Sequence, residues 1–148
     1  MAKSVHDLVL ADDDADDCIF FREALEEIPV AVTLTTVKDG VELMELLTNR
    51  KEALPDLVFL DLNMPRKTGL ECLTEIKAND ALKKLPVIIY STSMDREMVN
   101  LLYKKGAHYY IRKPGEFSKL KESIYTALAL NIQQDPAQPA KEQFVIKV

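Results

Sequence analysis

Three carboxylates, a hydroxyl and an ammonium stand in this sequence just behind short apolar runs. Asp12-Asp13 follow DLVLA, Asp61 follows DLVFL, Ser91-Thr92 follow PVIIY, and Lys113-Pro114 come shortly after His108–Ile111. Carboxylates held close together raise one another's pKa unless a cation lies between them. A hard divalent ion relieves that repulsion, and a few carboxylates, a carbonyl and several waters form a usual Mg²⁺ arrangement. Such a site would take Mg²⁺ and then a phosphoryl oxygen, with the Lys113 ammonium as a point-charge partner. One of the carboxylates could also be a nucleophile, as in aspartyl-phosphate chemistry.

These groups meet only if the runs before them are neighbouring strands. Short apolar runs alternate with longer amphipathic ones, the rhythm of βαβ units around a parallel sheet. Strands are expected at Asp7–Ala11, Val30–Val37, Asp56–Leu60, Pro86–Tyr90 and His108–Ile111. The first, third and fourth are almost wholly apolar, as strands covered on both faces should be. Cys18, Phe21, Leu25 and Ile28 share one face of a helical period, and so do Phe117, Leu120, Ile124 and Leu128. Shorter stripes occur at Leu70, Leu73, Ile76 and at Met98, Leu101, Leu102. Lys104-Lys105-Gly106 has the cation-then-glycine form of a helix C-terminus. The expected fold is α/β: a doubly wound parallel sheet of five strands with five helices over residues 5–130. In such open sheets, sites form outside the carboxyl ends of the strands. The candidate residues stand at those ends.

At 148 residues and 16.7 kDa, one domain is expected. A hydrophobic share of 47% is enough for a core and argues against global disorder. The formal charge of −5 has the wrong sign for a general nucleic-acid binder. No apolar run approaches the ~20 residues of a membrane span, and the N-terminus lacks the form of a signal peptide. Cys18 and Cys72 lack metal-ligand spacing, so buried thiols in a reducing cytoplasm are expected. After Ile132 the composition shifts, and residues 131–148 read as a C-terminal linker and tail. Gln133–Ala140 suits an extended linker. Phe144–Val148 is apolar and β-capable, an aggregation hazard if left exposed. It is therefore expected to dock through Phe144 and Ile146, on its own domain or across a homodimer; a frayed terminus is the alternative.

Each candidate also has a plainer reading. Asp14 and Asp16 suit a helix N-terminus, where acids cap and favour the dipole. That reading fits Asp12-Asp13 poorly, because an adjacent pair closing a buried strand is costly without a cation. It fits Asp61 worse, since an unpaired carboxylate after four apolar residues is expensive. Lys113 could be a solvated turn residue. Ser91 could cap the next helix, a task for which Ser93 is better placed.

In this order and at these strand ends, the residues resemble the receiver domain of two-component response regulators. The resemblance spans roughly residues 5–130 and includes LDLNMPRKTG around Asp61 and an aromatic at Tyr110. It implies a flavodoxin-like fold with strand order 2-1-3-4-5 and Asp61 as the phosphoacceptor. Mg²⁺ would be held by the Asp13 and Asp61 carboxylates and the Asn63 backbone carbonyl, with Asp12 acting mainly through water. Ser91 and Lys113 would each take a phosphoryl oxygen. Ser91 and Tyr110 would form the switch, and Asn63 and Ser93 would set phosphoryl lifetime. The Lys113–Pro114 bond would be cis. Residues 60–93 resemble the single-domain regulators of bacterial phytochrome-type kinases, a group in which Asp14 and Asp17 stand at an Asn-like and an Asp position.

The implied function is that of a stand-alone, cytoplasmic response regulator. It would take a phosphoryl group from a sensor histidine kinase or phosphotransfer protein, catalysing only its own phosphorylation and dephosphorylation. Output would pass to a downstream protein target, with no nucleic acid or membrane involved. A Mg²⁺-dependent phosphohydrolase usually has a second Asp two residues after its nucleophile, where this chain has Asn63. A pseudo-receiver scaffold typically lacks an acid or the lysine, and none is missing. A flavin binder needs a Ser/Thr/Gly-rich loop after strand one, where Asp12–Asp17 would repel a phosphate. From Tyr103 to Lys121 there are six Lys/Arg residues and one acid. That stretch is either a solvated helix face or a surface for an acidic partner or a second subunit.

Overall fold

The computed structural model describes residues 5–50, 53–133 and 138–147. Strands β1 (His6–Ala11), β2 (Val32–Val37), β3 (Leu57–Leu60), β4 (Val87–Ser91) and β5 (Tyr109–Arg112) form one parallel sheet. Its order is β2-β1-β3-β4-β5. Helices α1 (Ala15–Glu26), α2 (Gly40–Asn49), α3 (Gly69–Ala78), α4 (Arg96–Lys104) and α5 (Phe117–Gln133) alternate with the strands.

Successive strand residues point to opposite faces, and both faces are covered. Val9, Val58, Leu60 and Ile89 pack with Leu43, Leu47, Leu73, Ile76 and Leu102 from α2, α3 and α4. Leu8, Leu10, Phe59 and Ile88 pack with Phe21, Leu25, Leu120, Ile124 and Leu128 from α1 and α5. Burial on both sides is why β1, β3 and β4 read as continuous apolar runs. β2 lies at the edge, so Thr33 and Thr36 are exposed and the strand starts at Val32 instead of Val30.

Helix ends follow local chemistry. The Asp14 side chain accepts from Asp17 N at 3.1 Å and caps α1, and Asp16 lies exposed in the first turn; the plain reading of both residues holds. α4 ends at Lys104, and Gly106 supplies φ +102°, a conformation that favours glycine. The cap of α4 is Asp95, whose Oδ1 accepts from Met98 N at 2.8 Å. Neither Ser91 nor Ser93 caps this helix: Ser91 still belongs to β4, and Ser93 lies two residues before the cap. Cys72 is buried but Cys18 only half-buried, because it stands on the flank of the α1 stripe, with its thiol 3.6 Å from the Asp12 carbonyl. The Lys113–Pro114 bond is trans, an isomer that differs little in energy from cis before proline.

Helix α5 continues to Gln133, three residues into the stretch read as linker. Residues 134–137 lie outside the described part of the chain; 138–147 return to the domain, with 144–146 lying along β5. Phe144 is fully buried and joins the α2–α4 side, while Ile146 joins the α1–α5 side. Tyr110 N donates to the Phe144 carbonyl at 3.0 Å, and Ile146 N donates to the Tyr110 carbonyl at 2.9 Å. The tail thus docks on its own domain, covering an edge strand that would otherwise present unpaired backbone groups.

Candidate functional site

The sheet brings the candidate residues to one edge by extending its ladder one residue past the strands. Asp12 N donates to the Val37 carbonyl at 3.0 Å, Asp61 N to the Ala11 carbonyl at 2.9 Å, and Lys113 N to the Ser91 carbonyl at 2.9 Å. Each side chain therefore leaves a backbone as fixed as the sheet. The loop after Asp61 is fixed as well. Gly69 N donates to the Leu62 carbonyl at 3.0 Å, and a Cβ at Gly69 would lie 2.2 Å from the Asp61 carbonyl oxygen. Only glycine permits that approach. Thr68 and Glu71 then open α3 with a reciprocal capping pair.

Asp12, Asp13 and Asp61 each offer a carboxylate oxygen, and these lie within 4.8 Å of one another. Asp12 and Asp61 are buried, and Asp13 faces solvent. Lys113 Nζ sits 2.8 Å from Asp12 Oδ2, 2.8 Å from Asp17 Oδ2 and 3.4 Å from Asp61 Oδ2. The contact with Asp12 Oδ2 lies off the hydrogen-bonding direction, so that buried oxygen has a counter-charge but no aligned donor. Asp12 Oδ1 accepts from Asp14 N at 3.0 Å.

Burial pushes the Asp12 carboxyl up to about 6, against the pull of Lys113. Burial also raises Asp61, opposed by Lys113 and by the backbone N–H groups of Asn63 and Leu62. For Lys113, burial alone would lower the pKa, but contacts with Asp12 and Asp17 and the nearby charges outweigh it and raise it. One ammonium thus faces two buried carboxylates that resist ionising together. A group of hard oxygens with one unsatisfied buried acceptor suits a divalent cation. The residues present fit such an ion.

Ser91 is fully buried at the end of β4, and its Oγ accepts from Ser93 N at 3.2 Å. Asn63 and Ser93 are exposed on the loops that follow Asp61 and Ser91. Tyr110 is fully buried, its hydroxyl donates to the Ser93 carbonyl, and burial raises it to about 12. It stands outside the acid cluster but is tied to the loop after β4. Asp17 was not among the candidates. No local pattern pairs it with a lysine 96 residues away.

A buried acid cluster and a lysine at the carboxyl edge of a 2-1-3-4-5 sheet define a class: doubly wound α/β domains that accept a phosphoryl group. The family model of the response regulator receiver domain matches residues 8–125, and the chain belongs to that family. Its function is signalling through phosphorylation of an aspartate and a conformational switch. The chain is 33% identical over 121 residues to the response regulator Rcp1 of Synechocystis sp., covering 79% of this chain and 82% of Rcp1. It is also 33% identical over 112 residues to the chemotaxis protein CheY of Listeria monocytogenes, covering 76% of this chain and 92% of that protein. Among solved structures, the phosphorylated cyanobacterial phytochrome response regulator RcpA is 34% identical with a TM-score of 0.75, covering 82% of this chain and 90% of RcpA. The Mn²⁺-bound form of Rcp1 is 27% identical with a TM-score of 0.76, covering 91% of this chain and 99% of that one. No described helix is long and apolar enough to cross a membrane.

Proposed function

We propose that Asp61 is the phosphoacceptor, that the reaction uses Mg²⁺, and that the donor is a phosphohistidine of a sensor histidine kinase or phosphotransfer protein. The observation that carries this is the Asp61 carboxylate itself, buried at the end of β3 beside two further acids and 3.4 Å from Lys113. An Asp61 oxygen forms the new P–O bond as the P–N bond of the donor breaks, and its electron pair returns to the imidazole. Asp13, Asp61 and the Asn63 carbonyl would hold Mg²⁺, with Asp12 reached through water. When bound, the ion neutralises charge on the carboxylates and the phosphoryl oxygens.

Lys113 takes one phosphoryl oxygen through a charge-assisted hydrogen bond. Ser91 takes another by turning its hydroxyl toward Asp61, and the space it leaves is filled by Tyr110. Asn63 and Ser93 line the route of a hydrolytic water and set how long the acyl phosphate lasts. Likeness to RcpA supports a phytochrome-type kinase as the donor. Two free cysteines suit a reducing cytoplasm. Output passes to a protein target through the exposed cations Lys104, Lys105, Arg112 and Lys119, which fit an acidic partner or a second copy of the chain.

With Mg²⁺ and acetyl phosphate, the protein should gain one acid-stable, base-labile phosphoryl group, read by intact mass. Asp61→Asn should gain none. Labelling of that variant at the level of the unsubstituted protein refutes the assignment.

A further inference from the structure

Of the acids around Lys113, Asp17 alone lies outside the cluster that suits a metal. It sits in the first turn of α1, and its Oδ2 is 2.8 Å from Lys113 Nζ, closer than Asp61 Oδ2 at 3.4 Å. Asp17 is not one of the three acids whose oxygens gather within 4.8 Å. Its backbone is pinned, because Asp17 N donates to the Asp14 cap at 3.1 Å. The remaining neighbours of the ammonium are Asp12 Oδ2 at 2.8 Å and the Tyr90 ring at 5.3 Å.

We propose that Asp17 is a positioning residue that draws the Lys113 ammonium away from Asp61 before phosphorylation and yields it once Asp61 carries the phosphoryl group. The proposal rests on the reading of Asp61 as the acceptor. An ammonium has three protons and no fixed fork, so it distributes itself among whichever acceptors surround it. In this structure its well-placed hydrogen bond goes to Asp17, and Asp61 lies near the limit of hydrogen-bond distance. A phosphoryl group on Asp61 needs that same ammonium. Whatever the Asp17 contact contributes before transfer and loses afterwards opposes phosphorylation. Because the Asp17 side chain is 35% exposed, water weakens this contact, so it tunes the switch without blocking it.

The test compares Asp17→Asn and Asp17→Glu with the unsubstituted protein at one sub-saturating acetyl phosphate concentration with Mg²⁺. Asp17→Asn keeps the size and backbone of the residue and should raise the ratio of phosphorylated to unphosphorylated protein about two- to fivefold. Asp17→Glu, which keeps the charge, should stay near the original ratio. Beryllofluoride affinity, measured by calorimetry, should rise by a similar factor in Asp17→Asn. That gain should vanish when Lys113→Met is also present, because Asp17 acts through the lysine. An unchanged or lower ratio in Asp17→Asn overturns the proposal, and so does a gain that survives Lys113→Met. Labelling that is lost in Asp61→Asn yet unaltered in Asp17→Asn overturns this proposal alone. Labelling that persists in Asp61→Asn overturns both readings.

Discussion

Phe144→Ala tests whether the C-terminal tail is part of the domain's stability. The Phe144 ring is fully buried, edge-on to Tyr103 at 5.1 Å and to Tyr110 at 6.2 Å. Around it, Tyr103 OH donates to the Pro139 carbonyl at 2.7 Å, and Gln138 Nε2 donates to the carbonyls of Tyr103 and Ala107 at 2.8 and 2.7 Å. In a rigid core, removing a phenylalanine ring costs about 3–5 kcal/mol. The tail, however, can leave β5 without unfolding the sheet, so the loss is capped at the free energy of docking itself. Ordering the tail residues costs roughly 1–2 kcal/mol each in backbone entropy and offsets most of the burial and hydrogen bonds gained. The expected cost therefore lies below the rigid-core value, at about 2–3 kcal/mol, equivalent to a fall in Tm of roughly 5–10 °C for a domain of this size. Truncation after Gln133 should cost the same as Phe144→Ala, since each releases the whole tail. Hydrogen exchange gives a local reading, because the Tyr110 amide donates to the Phe144 carbonyl. It should lose protection in both variants, while the Asp61 amide, bonded to Ala11, keeps its own. A Tm within a degree of the original, with Tyr110 still protected, would refute the reasoning.

Three further outcomes follow from the site. Asp13→Asn should weaken Mg²⁺ binding roughly tenfold, since a direct carboxylate ligand is lost while the ion's waters remain; equal affinity by titration would remove Asp13 from the ligand set. Asp12 binds its proton more tightly folded, at about 6, than unfolded, at 3.8. Its stabilising contribution in metal-free protein is therefore full below about pH 4 and lost as pH rises through 6. Stabilisation by Mg²⁺ relative to EDTA should accordingly be larger at pH 7.5 than at pH 5, and equal Tm increments would contradict this. Gly69→Ala should cost about 2 kcal/mol or more and depress acetyl phosphate labelling, because its Cβ would meet the Asp61 carbonyl at 2.2 Å. A variant with unchanged Tm and labelling would show that the loop can give way.

The acid-and-lysine edge was legible because each of its residues follows an apolar strand, and a parallel sheet aligns the carboxyl ends of its strands. Asp12, Asp61 and Lys113 needed no information beyond that rule. Asp17 was not legible in the same way. It contacts Lys113 across 96 residues of sequence; its position in an acidic helix start suggests a cap or a dipole charge, and the resemblance marks the position without naming its partner. The sequence does not single out Asp95, because two serines nearby are equally good caps by type, and only the end of β4 decides among them. The tail was half legible: the apolar pattern marked Phe144 and Ile146 as inward-facing, whereas only the structure shows that they straddle β5 of their own domain.

That position of the tail matters for the switch. Tyr110 donates through its hydroxyl to the Ser93 carbonyl, on the loop that leaves β4 after the buried Ser91. Its backbone is held by Phe144 on one side and Ile146 on the other, and its ring packs against Phe144. Lys113 follows three residues later and reaches the acid cluster. The candidate acid-and-lysine site and the tail therefore meet at one four-residue strand and the residue that follows it. The buried Tyr110 ring and the docked tail occur together here, and each contributes packing that the other needs. Linkage then requires that a change at Tyr110 which loosens Phe144 weaken tail docking, and that tail docking bias Tyr110 by the same free energy. In the truncated protein, Tyr110 should keep its hydroxyl contact with the Ser93 carbonyl and its neighbours in the core but lose its packing against Phe144.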